Sequence, residues 1–392
     1  MEKYGVVLAG GGAKGVYQIG AWRALRELEI PVGRVVGTSV GAMNGALMAL
    51  DDYDGAVGIW KSMSIEKGFR LPEPLRVPDK LFSPKNADIL LRTLWKEHGL
   101  DISPLRQRLE ERIDENALRR SRIDFGLVTV EVPRRKSHYL YKNQIPQGRL
   151  MDYIMASAAY PGLKRPEIDG KSYIDGGVAD NVPVRMLLRR QKDHIIVVNI
   201  GDSPLPKDLD PELDLYDIHP VDSLGKAFEF QPETAGSKME MGWYDTMKAF
   251  GRFAGEWMYF PPAEHERLVR ELGAQTVSGL EHTARLYGLD KLRVCTAEMF
   301  IRELLECDRV SSEKFNAFRS HIDPGTLLRL FYHKGPDELH LTNDILLQIA
   351  QRLLEAGKER PHLRSGAQRL APGILRAAQA MVILRGKTGR TA

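Results

Sequence analysis

The stretch Val35-Val36-Gly37-Thr38-Ser39-Val40-Gly41-Ala42-Met43 decides the reading of this chain. Two β-branched residues read as the end of a strand, and the small apolar run from Ala42 to Leu50 reads as a helix. Between them lies G-x-S-x-G, the pattern of a nucleophile elbow. A serine hydroxyl attacks only if it projects clear of its own backbone, which a tight strand-to-helix turn achieves. Such a turn presses the residues two before and two after the serine against neighbouring backbone. A Cβ would clash there, and Gly37 and Gly41 have none. The hydroxyl then sits at a helix N-terminus, where free N–H groups and the dipole favour developing negative charge. The same pattern also serves as a plain βα turn, so the rest of the chain has to decide.

On the N-terminal side, Tyr4–Ala9 predicts a buried strand and Val16–Leu28 a helix, joined by Gly10-Gly11-Gly12-Ala13-Lys14-Gly15. This fits a dinucleotide loop, G-x-G-x-x-G. That chemistry requires an acid at the end of the second strand to hold a ribose, and here the second strand runs into Ser39 instead. Lys14 is followed by glycine, not Ser or Thr, which excludes a P-loop. Read together, the glycine loop offers converging N–H donors for an oxyanion and the elbow offers the nucleophile, both on the carboxyl edge of one parallel sheet.

On the C-terminal side, Tyr53 to about Leu100 mixes short helical stretches with Pro-bearing loops (LPEPLRVPDKLFSP), suited to shaping a pocket. One amphipathic helix is expected over Ile102–Leu118, strands at Phe125–Glu131 and His138–Tyr141, and a helix at Leu150–Ala159. In Ser172-Tyr173-Ile174-Asp175-Gly176-Gly177 a short strand delivers Asp175 into a turn, making its carboxylate a candidate partner for Ser39. His194–Ile200 is a further strand. The first 200 or so residues therefore alternate β and α, which implies a mainly parallel sheet covered on both faces.

Beyond residue 205 the texture changes. Residues 206–260 read as a linker or irregular segment packed on the catalytic domain of residues 1–205. Residues 261–392 read as a helical C-terminal domain with a basic tail. From Arg360 to Ala392 there are seven Lys or Arg and no acid, more than the net charge of +4 carried by all 392 residues. That balance gives no argument for nucleic acid. Pro372–Leu384 has an apolar face flanked by Arg376 and Arg385. It reads either as a helix docked on the C-terminal bundle, the preferred view, or as a peripheral contact with anionic lipid. Cys295 and Cys307 have no metal or redox spacing. No signal-peptide pattern and no apolar run of about 18 residues is present, so a cytoplasmic protein, free to touch a membrane surface, is expected.

Together, Gly10–Gly15, Gly37-Thr38-Ser39-Val40-Gly41 and Asp175-Gly176-Gly177 resemble the motifs of the patatin-like phospholipases, as do Ala156-Ser157-Ala158-Ala159-Tyr160-Pro161 and Asp180-Asn181-Val182-Pro183. The resemblance covers about residues 1–205. It implies a three-layer α/β/α fold, a Ser–Asp dyad without histidine, and lipid acyl hydrolase activity needing no metal or cofactor. In it Ser39 is nucleophile, Asp175 general base, and the backbone of Gly11, Gly12 and Ala13 the oxyanion hole. Lys14 stands where many members have arginine, which bears on head-group preference. An unperturbed Asp, with a pKa of about 3.9, is a weak base for a hydroxyl, so burial has to raise it. A Ser–His–Asp triad would need His194 or His219, of which only His219 could reach the carboxyl edge. A catalytically idle scaffold of the same fold, binding lipid or partners, is the alternative function.

Overall fold

Val6, Val7 and Leu8 have no solvent exposure, and neither do Val35 and Val36. Strands apolar at successive positions must be covered on both faces, as in a parallel α/β sheet. The computed structural model describes residues 3–71, 99–191, 193–319, 342–356 and 372–389. They fall into two compact units, Met1–Phe250 and Gly251–Ala392.

The first unit runs β1 (Tyr4–Leu8), α1 (Val16–Glu27), β2 (Val32–Thr38), α2 (Val40–Leu50), α3 (Tyr53–Ser62), α4 (Ile65–Gly68), α5 (Ser103–Glu110) and α6 (Glu115–Arg120). It continues with β3 (Asp124–Val132), β4 (Lys136–Tyr141), α7 (Leu150–Ser157), β5 (Glu167–Ile168), β6 (Lys171–Asp175), α8 (Val184–Leu188), β7 (Ile195–Val198), β8 (Leu215–Ile218) and α9 (Pro232–Ala249). The sheet order among the described residues is β5-β6-β3-β2-β1-β7-β8, with β4 also on β3. From β3 to β8 neighbouring strands are parallel. β4, β5 and β6 join antiparallel.

Strand alternation puts helices on both faces. Gly45 of α2 lies against Val35 and Phe125, which are register partners. The next residue of β3, Gly126, lies against Met186 of α8 on the opposite face. The expected three layers follow.

Two expectations need correction. Ile102–Leu118 is not one helix. It breaks at Asp114, whose carboxylate accepts from the Ala117 N–H at 2.6 Å and so caps α6 as a new start. Residues 206–260 are not irregular either, since they contain β8 and the eighteen-residue α9. The buried stripe of α9 includes Ala235, Met239, Gly242, Asp245 and Thr246. That is helical spacing, but small and polar residues carry it, so no hydrophobic period is visible. The helix crosses α1 at two glycines. A Cβ on Gly20 would overlap the Met239 carbonyl, and one on Gly242 the Tyr17 carbonyl. The Pro-bearing stretch at 71–84 lies, beyond Leu71, outside the described residues.

The second unit is helical where described: α10 (Pro262–Leu272), α11 (Ala274–Tyr287), α12 (Ala297–Arg319), α13 (Asn343–Ala356) and α14 (Pro372–Thr388). The apolar face of α14 is used within this unit, burying Ala377, Ala378, Met381 and Leu384. Arg385 is buried too, donating through Nε to Asp308 Oδ2 at 2.8 Å. Arg360, Arg364, Arg369 and Arg390 lie outside the described residues. Among the described residues no helix is long and apolar enough to cross a membrane.

Candidate active site

Ser39 has φ 55° and ψ −126°, a left-handed turn position that a side chain rarely adopts, directly between β2 and α2. A Cβ on Gly37 would overlap the Gly41 carbonyl, and one on Gly41 the Leu8 carbonyl, which is the steric role read from the spacing. The strained turn is held from outside. The Ser39 N–H donates to Ser157 Oγ at 3.0 Å, and Thr38 Oγ1 donates to the Asp180 carbonyl at 2.9 Å.

Asp175 is brought to Ser39 by strand register. β4 occupies one edge of β3 along residues 126–131, so β2 and β6 share the other edge. β2 runs up that edge and ends with Thr38 opposite Val128, while β6 runs down it and ends with Asp175 opposite Thr129. The Asp175 N–H donates to the Ala159 carbonyl at 2.9 Å, and its Oδ1 accepts from the Gly177 N–H at 2.7 Å. Oδ2 is buried with no hydrogen-bond partner. Burial pushes the carboxyl up to about 6, against the smaller opposing pulls of the nearby Ser39 hydroxyl and the Gly177 N–H. A carboxylate so desolvated is a stronger base than an exposed one, yet still mostly ionised at pH 7.

The glycine loop forms a 3₁₀ turn, Gly12–Gly15, ahead of α1. Its donors are not equivalent. The Gly10 N–H goes to the Asn181 carbonyl at 3.2 Å, and the Lys14 N–H to the Gly11 carbonyl at 3.3 Å. The Ala13 N–H is taken by the Ala227 carbonyl at 2.7 Å, so the oxyanion role that the resemblance gave it is not open to it. Gly11 and Gly12 keep N–H groups without a partner among the described residues, and both line the cavity; Ala13, Lys14 and Gly15 do not. Asn181 holds the loop a second time, through Nδ2 to the Gly10 carbonyl at 3.2 Å.

Ser39, Val40, Asp175 and Gly177 open into a cavity of about 420 Å³. Its walls are mainly apolar, with Met43 and Leu47 of α2, Ile59 and Trp60 of α3, and Phe228 and Phe230 from the segment before α9 among them. Tyr160 and Val178 line it while remaining 51% and 59% exposed. Neither histidine considered lines this cavity. His194 is at the start of β7, with Nδ1 2.5 Å from Asp214 Oδ2, and His219 is beside Asp217 at 3.6 Å. Among the described residues no three His, Cys, Asp or Glu converge as a metal site.

Several contributors had no assigned role in the sequence reading. Ser157 and Asn181 fall within quoted motifs but act through backbone contacts that the motifs do not display. Gln18, Asn44 and Trp60 form a buried relay beneath the loop. Trp60 Nε1 donates to Asn44 Oδ1 at 2.9 Å, Asn44 Nδ2 to the Gly15 carbonyl at 2.9 Å, and Gln18 Nε2 to the Ala9 carbonyl at 2.8 Å. A buried polar residue in an apolar helix, such as Asn44 in Val40–Leu50, is the one signal that could have exposed it.

Residues 6–188 match the patatin-like phospholipase family. Lysophospholipase nte1 of Aspergillus terreus is 30% identical over 199 residues, 50% of this chain and 12% of that protein. Lysophospholipase NTE1 of Kluyveromyces lactis is 29% identical over 212 residues, 51% of this chain and 13% of that protein. The chain thus spans about an eighth of the length of these relatives. Among solved structures, VipD from Legionella pneumophila aligns at 15% identity with a TM-score of 0.38, over 97% of this chain and 90% of that one. ExoU, in its complex with SpcU from Pseudomonas aeruginosa, aligns at 16% identity with a TM-score of 0.31, over 98% and 76%.

Proposed function

From the premise that residues 6–188 form a patatin-like phospholipase domain, we propose that this chain hydrolyses the carboxylic ester of a lipid through a Ser39–Asp175 dyad. One observation carries the reading: an unpaired, buried Asp175 oxygen beside a strained serine, both lining one mainly apolar cavity. Asp175 accepts the Ser39 proton as Oγ attacks the ester carbonyl carbon. The oxyanion that forms is bound by the Gly11 and Gly12 N–H groups and stabilised by the N-terminus of α2. The ester C–O bond then breaks, and the departing alcohol takes the proton from Asp175. Water enters, gives its proton to the same carboxylate and attacks the acyl-enzyme. Ser39 recovers its proton as the fatty acid leaves. Every proton passes through one carboxylate, so no histidine is needed.

The apolar walls suit an acyl chain, and the exposed Tyr160 and Val178 at the cavity suit a substrate presented at a membrane or micelle surface. The relatives' names make lysophospholipids the first substrates to try. The test is labelling by a fluorescent fluorophosphonate, with intact mass to locate the adduct, in wild type, Ser39→Ala and Asp175→Asn. We expect Ser39→Ala to lose the label and Asp175→Asn to slow it by about 10²–10⁴-fold. Fatty-acid release from a lysophospholipid should fall in parallel. Full labelling or full release in folded Ser39→Ala overturns the reading.

A further inference from the structure

The matched family domain ends at residue 188, but the cavity does not. Ala227, Phe228 and Phe230, from a turn-rich strap between β8 and α9, line it as well. Both rings are half-buried, packing against the main core and lining the cavity. Phe230 stacks on Trp60 with centroids 6.5 Å apart and planes 18° apart. Phe69 packs against both, at 6.0 Å from Phe228 and 5.7 Å from Phe230. Tyr160 meets the edge of Phe228 at 5.4 Å.

The strap is also pinned to the catalytic loop. The Ala227 carbonyl accepts from the Ala13 N–H at 2.7 Å, in space that a Cβ on Gly12 would occupy. Gly12 has φ +58°, so glycine is required there on both counts. On the other side Trp60, the stacking partner of Phe230, donates to Asn44, which holds the Gly15 carbonyl. The two phenylalanines are therefore fixed relative to the donors of Gly11 and Gly12, not carried on a loose loop.

We propose that Phe228 and Phe230 are the specificity-determining residues for the acyl chain, setting the length that this enzyme accepts. The proposal rests on the Ser39 ester-hydrolase reading. A chain bound at Ser39 lies in a cavity bounded by rings whose positions are anchored. Each methylene that fits gains apolar contact, while one that meets a ring has to displace it. One methylene more or less in such a pocket changes kcat/KM by about tenfold or more. These two rings lie outside the matched domain, whereas Met43, Leu47, Ile59 and Trp60 of the same wall lie inside it.

The experiment uses the full chain and a series of p-nitrophenyl esters from butyrate to palmitate, with wild type, Phe228→Ala, Phe230→Ala and Phe230→Trp. The readout is the ratio of kcat/KM for long over short esters within each variant, so a loss common to all lengths cancels. We expect Phe228→Ala and Phe230→Ala to shift the optimum to longer chains, raising that ratio about tenfold. Phe230→Trp should shift it to shorter chains, lowering the ratio by a similar factor. A folding defect cannot move the optimum in opposite directions. Ratios unchanged in all three variants, or moved the same way by Ala and Trp at position 230, overturn the proposal. A wild type that is neither labelled at Ser39 nor active on any ester overturns the dyad reading instead, and this one with it.

Discussion

Ser39 and Asp175 meet because the strands that carry them end head to head: Thr38 pairs with Val128, and Asp175 with the next residue of the same strand, Thr129. Backbone register brings Asp175 to this point, and the Gly177 N–H then fixes one of its carboxylate oxygens. β6 seats Asp175 at 3% exposure with one oxygen bonded to Gly177 N–H and the other unpaired. The charged form is the one that suffers from this burial, and it is also the form needed for proton abstraction.

That conflict fixes a pH–rate profile. The Asp175 carboxyl is pushed up to about 6, and only its ionised form accepts the serine proton. We expect kcat/KM to fall about tenfold per pH unit below that value and to level off above about pH 7. Steady-state hydrolysis of a soluble ester from pH 4.5 to 8.5 checks this. A rate that stays flat down to pH 4.5 would remove Asp175 as the base.

The same shift links activity to stability. A carboxyl raised from about 3.9 in the unfolded chain to about 6 in the fold binds its proton more tightly when folded. Its stabilising contribution is complete below about pH 4 and is lost as pH rises through about 6, leaving a deficit of about 3 kcal/mol at pH 8. Asp175→Asn has no charge to bury and keeps an oxygen for the Gly177 N–H. It should match wild type in urea unfolding near pH 4 and exceed it by about 2–3 kcal/mol at pH 8, while Ser39 labels about 10²–10⁴-fold more slowly. An equal gap at both pH values would contradict the raised carboxyl.

Asn181 holds the loop that supplies the oxyanion donors. Its Nδ2 donates to the Gly10 carbonyl, one residue before Gly11. Asn181→Ala leaves that carbonyl to find another partner and lets the Gly11 and Gly12 donors drift. Displacement of about 1 Å in such a constellation costs about 10²-fold in rate. We expect kcat to drop about 10–100-fold with KM within about threefold. Asn181→Asp, which turns a carboxylate oxygen toward the carbonyl, should be worse than alanine. A change in KM alone would place Asn181 in binding rather than in loop positioning.

What could be read from the sequence was local. Gly37 and Gly41 announce the elbow because the steric demand falls two residues either side of Ser39. Asp175 could be picked out as a strand end before two glycines. The antiparallel entry of β6, which makes the two ends collide, depends on pairing with β3 and has no local mark. The loss of Ala13 from the oxyanion hole is equally hidden, since its partner is a backbone carbonyl 214 positions further along, and a carbonyl has no residue identity. Helix α9 escaped because Gly242, Asp245 and Thr246 occupy positions where a hydrophobic pattern would need apolar residues. Phe228 and Phe230 stand in a stretch with no period, and only the folded cavity gives them a common purpose.

The second unit has its own internal test at Arg385 and Asp308, both buried. Asp308 Oδ1 accepts from the Tyr287 hydroxyl at 2.7 Å and from Gln348 Nε2 at 2.9 Å, leaving Oδ2 to the guanidinium of Arg385. Removing the cation alone strands a buried carboxylate. Arg385→Met should therefore cost about 3 kcal/mol, the low end for a broken buried pair, because Tyr287 and Gln348 remain as donors. Replacing both partners removes the stranded charge, so Asp308→Leu with Arg385→Met should recover much of the loss. Urea unfolding of the two variants and of Asp308→Leu alone gives the coupling. If the double variant is as unstable as the sum of the singles, the pair is not acting as a unit, and the packing of α14 has to be explained by its apolar face alone.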